Sequence, residues 1–176
     1  MANGTPSSKG SRRATSTSWV PLSDPGGACY SCRENAQLDG LPPRARISVD
    51  ESWRVVHAFD VALPGWLVLV PRRHVTALAQ LTDAEAAALG VWQVRLSRAL
   101  HQVTGCVKTY VMQFAEAPGF GHVHVHVVPR AADLAAEARG PRVFALAGRP
   151  PGERLTDAEQ DAVALAVREA LAAPQP

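Results

Sequence analysis

The sequence lacks an excess of charge of either sign. Its net charge is +2 over 176 residues, so there is no overall electrostatic case for a nucleic-acid partner. Lysine is scarce, with only Lys9 and Lys108. No apolar run approaches the ~20 residues of a membrane-spanning helix. The opening stretch "MANGTPSSKGSRRATSTSW" has no apolar segment of the kind a secretory signal carries. The three cysteines, Cys29, Cys32 and Cys106, are odd in number and follow no such signal, which argues against a disulfide framework. The expected compartment is cytoplasmic, with no membrane association.

A hydrophobic content of 47% suits one domain with a real core. The Ser-, Thr- and Gly-rich start reads as a disordered polar tail over residues 1–24. The main domain is expected over residues 25–150, and a linker with a last helix over residues 151–176. "GGACYSCRENA" reads as a turn region and "GLPPRAR" as a link. "SWRVVHAFDV" and "GWLVLVP" read as strands separated by the Pro64-Gly65 break. Thr82 and Glu85 make a capping box, after which Leu89, Trp92, Leu96, Leu100 and Val103 recur at helical spacing up to Gly105. "CVKTYVMQF" reads as a strand with Cys106 as a small core residue. "AADLAAEAR" reads as a short helix, and a second capping box at Thr156 and Glu159 starts the last one. Strands joined across short links are antiparallel. The fold class is therefore α+β, a mostly antiparallel meander packed against one long helix.

The chemistry concentrates in "GHVHVHVVPR", residues 121–130. On a strand, His122, His124 and His126 share one face and the valines between them share the other. A chance histidine-rich strand, a metal site and phosphoryl-group chemistry all fit that pattern. Neutral imidazole is nucleophilic near pH 7, and a nearby imidazolium stabilises anionic oxygens and can donate a proton.

The run His-apolar-His-apolar-His-apolar-apolar, together with "LPGWLVLVPRRHV", resembles the histidine-triad (HIT) family of nucleotide hydrolases and transferases. The resemblance covers roughly Gly26 to Arg130 and implies a covalent mechanism. His124 would attack the α-phosphorus of a nucleotide ester, anhydride or phosphoramidate. His126 would contact phosphate oxygens and help protonate the leaving group. Keeping His at position 126 resembles the hydrolase branch, because the uridylyltransferase branch has Gln there. Asp60 matches a ribose-binding acid, and the amides of Gly119 and Gly121 can approach phosphate. The loop "AEAPGFG" lacks the Asn, Gln or Ser that many members place there, and Trp66 stands where many members have His. No site role is assigned to Trp66, which reads as a core or edge aromatic.

Cys29-Tyr-Ser-Cys32 alone is consistent with redox, metal-binding or accidental spacing. The resemblance implies structural zinc on Cys29, Cys32, His74 and His122, since some members bind zinc through such a set. Two thiolates and two imidazoles suit tetrahedral zinc. The family also implies a homodimer for many members. The alternative to an enzyme is a non-catalytic, zinc-stabilised nucleotide-binding or regulatory module.

Overall fold

The two apolar runs flanking Pro64-Gly65 become paired antiparallel strands in the computed structural model, which describes Met1 and residues 29–173. The tail read over residues 1–24 lies outside the described residues, apart from Met1. In chain order the regular elements are helix α1 (Tyr30–Ala36), strands β1 (Ser48–Val49), β2 (Trp53–His57) and β3 (Leu67–Pro71), helix α2 (Asp83–Thr104), strands β4 (Lys108–Gln113) and β5 (Val125–Arg130), and helix α3 (Asp157–Ala172). The sheet order is β1-β2-β3-β5-β4, antiparallel at every pairing. The meander is therefore complete only over β1 to β3. Helix α2 carries the chain one position too far for simple succession, and β5 returns to fill the gap between β3 and β4.

Period-2 alternation divides the sheet into two faces. Leu67, Leu69, Val125 and Val127 are buried against α2, whose Trp92, Leu96 and Leu100 make the inward stripe. Helix α3 buries Ala164, Val167, Ala170 and Leu171 in that same core, and Arg44 ties its first turns down through Asp157 and Asp161. On the opposite face Trp66, Val68 and Val128 form a second core with Val143. Cys106 is buried as expected. No helix among the described residues is long and apolar enough to cross a membrane.

Both capping boxes form: Thr82 with Glu85, and Thr156 with Glu159. Three other segments differ from expectation. The Cys-x-x-Cys turn is helix α1, because the Cys29 sulfur takes the capping position and accepts from the Cys32 N–H. "AADLAAEAR" forms only a 3-10 turn at Ala136–Ala138, followed by a 3-10 helix at Gly140–Leu146. Gly140 is left-handed there and Pro141 has no N–H to give, while Arg139 and Arg142 donate to nearby carbonyls in place of helical bonds. Strand β1 is two residues long and carries too little alternation to read.

The Pro64-Gly65 break sets the start of β3. Gly65 has φ +79°, and a Cβ there would lie 2.9 Å from Leu100 Cδ2 and 3.1 Å from Thr104 Cγ2. His57 braces the turn: its Nδ1 donates to the Ala58 carbonyl, and its Nε2 accepts from the Gly65 N–H at 3.1 Å. Gly65→Ala is expected to cost about 1–3 kcal/mol through the strained φ and the clash with α2. A thermal melt checks this, and an unshifted midpoint would contradict the close approach.

Candidate active site and metal centre

The histidine stretch joins the sheet later than the pattern suggested. The Val123 N–H donates to the Val75 carbonyl at 2.8 Å, and ladder pairing begins only at Val125. The loop after β3 thus takes the bond that a longer β5 would have used. One consequence is a division of labour among the three rings. His124 and His126 line one cavity, and His122 turns into a cluster with two cysteines.

The hydrogen-bond partners decide which nitrogen of each ring carries the proton. His124 Nδ1 lies 2.8 Å from the His122 carbonyl oxygen. A carbonyl only accepts, so this Nδ1 bears hydrogen and Nε2 keeps its lone pair. His126 is arranged the other way. The Trp66 indole N–H donates to His126 Nδ1 at 3.0 Å. An indole nitrogen only donates, so His126 Nδ1 is bare and the proton of the neutral ring sits on Nε2. Burial pushes the His126 pKa down to about 4, and the neighbouring His124 acts in the same direction. The two rings stand 5.1 Å apart, crossed at 80°.

The cavity they line holds about 390 Å³, within the usual span of small-molecule sites of roughly 300–1,000 Å³. Val56, Val68 and Val70 form an apolar wall. Tyr30, Phe59 and Phe120 meet beside it with ring centroids 5.7–5.8 Å apart. Asp60 lines the cavity in a left-handed conformation, φ 54°, and its Oδ1 is ion-paired with Arg154. Of the loop before the triad, Ala117 and Phe120 reach the cavity wall; Gly119 and Gly121 are exposed and do not line it. A larger open groove of about 830 Å³ lies between α2 and the edge strand β4, lined by Ser97, Thr109 and Val111 among others, and holds none of the triad histidines.

Cys29, Cys32, His74 and His122 come together with their ligand atoms all within 4.8 Å of one another. His122 Nδ1 is 3.4 Å from Cys29 Sγ and 3.6 Å from Cys32 Sγ, and His74 Nδ1 is 3.2 Å from Cys32 Sγ. Tetrahedral zinc with ordinary Zn–S and Zn–N bonds sets neighbouring ligand atoms about 3.3–3.8 Å apart, so the donor set fits a metal of that size and geometry. His122 Nε2 donates to the Pro71 carbonyl at 3.0 Å, which leaves the Nδ1 lone pair directed at the sulfurs.

Sequence reasoning assigned no site role to four contributors. Trp66 has one signal: it is two and four residues before Val68 and Val70, on the face of β3 that meets His126. Arg54 is 2% exposed on the cavity wall, where its guanidinium donates to Asn35 Oδ1 and the Ala45 carbonyl. The Tyr30–Phe59–Phe120 cluster joins three distant segments, and Arg154 reaches Asp60 from 94 residues away; neither leaves a local signal.

A family model described as HIT domain matches residues 42–133. Among solved structures, a zinc-bound histidine triad family protein from Mycobacterium smegmatis is 22% identical with a TM-score of 0.59, the match covering 81% of this chain and 94% of that one. A histidine triad protein from Bradyrhizobium japonicum is 26% identical with a TM-score of 0.59, over 72% of this chain and 89% of that one. A hypothetical histidine triad nucleotide-binding protein from Sulfolobus tokodaii is 15% identical with a TM-score of 0.59, over 81% and 91%. No curated protein sequence matches the chain.

Proposed function

The chain belongs to the histidine-triad family, and from that premise we propose that it is a nucleotidyl hydrolase or transferase working through a covalent nucleotidyl-histidine. One observation carries this reading: His124 and His126 face one cavity in opposite proton states, one with a bare Nε2 and the other with Nε2–H. A bare nitrogen beside a fixed donor is the arrangement that in-line attack on a phosphoryl group needs. His124 Nε2 attacks the α-phosphorus. An N–P bond forms, and the bond to the leaving group breaks with its electron pair. The positive charge that grows on the ring is held by the His122 carbonyl, which already accepts from Nδ1–H. His126 Nε2–H donates to a non-bridging phosphate oxygen; the amides of Gly119 and Gly121, which do not line the cavity, take no part in this step. Water then attacks phosphorus, the N–P electron pair returns to Nε2, and the water proton leaves to solvent. The released product is a nucleoside monophosphate.

The nucleobase rests against Val56, Val68 and Val70 beside the three aromatic rings, and Asp60 Oδ2, the oxygen not bound by Arg154, accepts from ribose hydroxyls. Asp60→Ala is expected to weaken discrimination between ribo- and deoxyribonucleotide substrates, since a hydrogen bond to a charged group contributes about 1.5–3 kcal/mol. Equal discrimination in the variant and the parent protein would remove Asp60 from the ribose site. Zinc on Cys29, Cys32, His74 and His122 is structural in this reading. It fastens α1 to the start of the triad segment and takes part in no chemical step.

Turnover of a panel of dinucleoside polyphosphates and nucleoside phosphoramidates, with products resolved, tests the proposal. Release of nucleoside monophosphate supports it. Tight binding of nucleotides with no turnover would replace it with the binding-module alternative.

A further inference from the structure

We propose that Trp66 is a positioning residue that confines His126 to hydrogen-bond donation, so that the site cleaves phosphoric anhydrides in preference to phosphoramidates. This rests on the nucleotidyl-transfer reading above and deepens it by naming the substrate class.

Trp66 is fully buried and its ring has nowhere to turn. It packs in the second core with Val68, Val128 and Val143, and edge-on against Phe144 at 5.3 Å. Its N–H meets His126 Nδ1 at 3.0 Å, and Phe144 closes the other side of the His126 ring at 5.2 Å. An indole nitrogen has no lone pair to offer a proton on His126 Nδ1. Forming the imidazolium would set two N–H groups against each other in a buried contact and leave both without an acceptor, an arrangement that buried donors strongly disfavour. The low pKa that burial gives His126 points the same way.

The consequence is chemical. Neutral His126 carries one proton, on Nε2. If it gave that proton away, it would become an imidazolate, a far stronger base than any amine leaving group. It therefore donates a hydrogen bond to a phosphate oxygen and keeps the proton. In an anhydride, attack by His124 Nε2 breaks a P–O bond, and the electron pair leaves on a phosphate oxygen that is stable as an anion near pH 7. No proton is required. In a phosphoramidate the P–N bond breaks, and the nitrogen must be protonated as it departs. With His126 held neutral, that ring does not supply the proton.

The test compares an adenosine 5′-phosphoric anhydride with an adenosine 5′-phosphoramidate of a simple alkylamine, by kcat/KM, alongside the ¹⁵N spectrum of His126. The parent protein should favour the anhydride by about 10²–10⁴-fold, the range that general acid catalysis supplies where it operates. Its His126 should show only the Nε2–H tautomer. Trp66→Phe removes the N–H and keeps an aromatic ring. Trp66→His replaces the indole with a ring that can itself accept. Both should narrow the preference by about tenfold or more and bring imidazolium into the His126 spectrum. Comparable turnover of the two substrates by the parent protein would overturn the inference while leaving the nucleotidyl-transfer reading intact. So would folded variants that leave both the ratio and the spectrum unchanged. If neither substrate turns over, the transfer reading fails, and a parent spectrum showing Nδ1–H or imidazolium overturns the Trp66 pairing on its own.

Discussion

His124→Ala is expected to abolish turnover, by on the order of 10⁴-fold or more, because no covalent intermediate can form without its Nε2. Affinity for nucleoside monophosphate should persist, since the apolar wall, the aromatic cluster and Asp60 are untouched. His126→Ala should cost less, because it removes one oxyanion donor and not the nucleophile. The ring of His124 lines the cavity, so its loss acts at the site. Steady-state kinetics with a monophosphate binding curve checks both halves. Near-parental turnover in His124→Ala would mean that another group attacks phosphorus.

Cys32→Ser is expected to lose the metal and much of the stability. The four ligands join α1, the loop after β3 and the start of the triad segment, and metal binding to such a set is folding free energy. Even about 3 kcal/mol of linked binding would lower the melting temperature of a chain of this size by roughly 6–12 °C. Native mass spectrometry should find one zinc per chain in the parent protein and none in the variant. A chelator should lower the melting point of the parent protein and leave the variant where it is. A parent protein that carries no metal and melts at the same temperature as Cys32→Ser would remove the zinc from the account. Turnover offers a second check, because displacement of His122 also moves the carbonyl that holds His124 Nδ1.

Where the sequence was legible, a strong local rule coincided with the tertiary demand. The capping boxes at Thr82 and Thr156 state where α2 and α3 begin, and both form. Of the alternating valines, Val125 and Val127 do lie in the core against α2, as the strand reading requires. Other elements depended on partners that no local pattern announces. Helix α1 begins at a cysteine cap, and the Cys29 sulfur is also directed at His122. The segment after β5 turns into 3-10 helix because arginine side chains take the carbonyls a helix would have used.

The site divides in the same way. The family pattern pointed to the two-Cys, two-His set and to the histidine pair, and the structure brings both together. Sequence spacing alone suggested three rings on one face. It did not show that a carbonyl and an indole fix two of them in opposite proton states, because those partners are set by register between β3 and β5 and by a loop carbonyl. Trp66 read as a core or edge aromatic with no site role, although its place two residues before Val68 sets it diagonal to His126.

The central claim is that Nε2 of His124 is the nucleophile. Its most direct test is the mass of the parent protein quenched in alkali during turnover of an adenosine 5′-phosphoric anhydride, with the modified residue located by peptide sequencing. The expected result is one adenylyl group per chain, on His124 through Nε2, on a bond that acid cleaves. An adduct located on His126, or rapid turnover with no adduct on any histidine, would contradict the account.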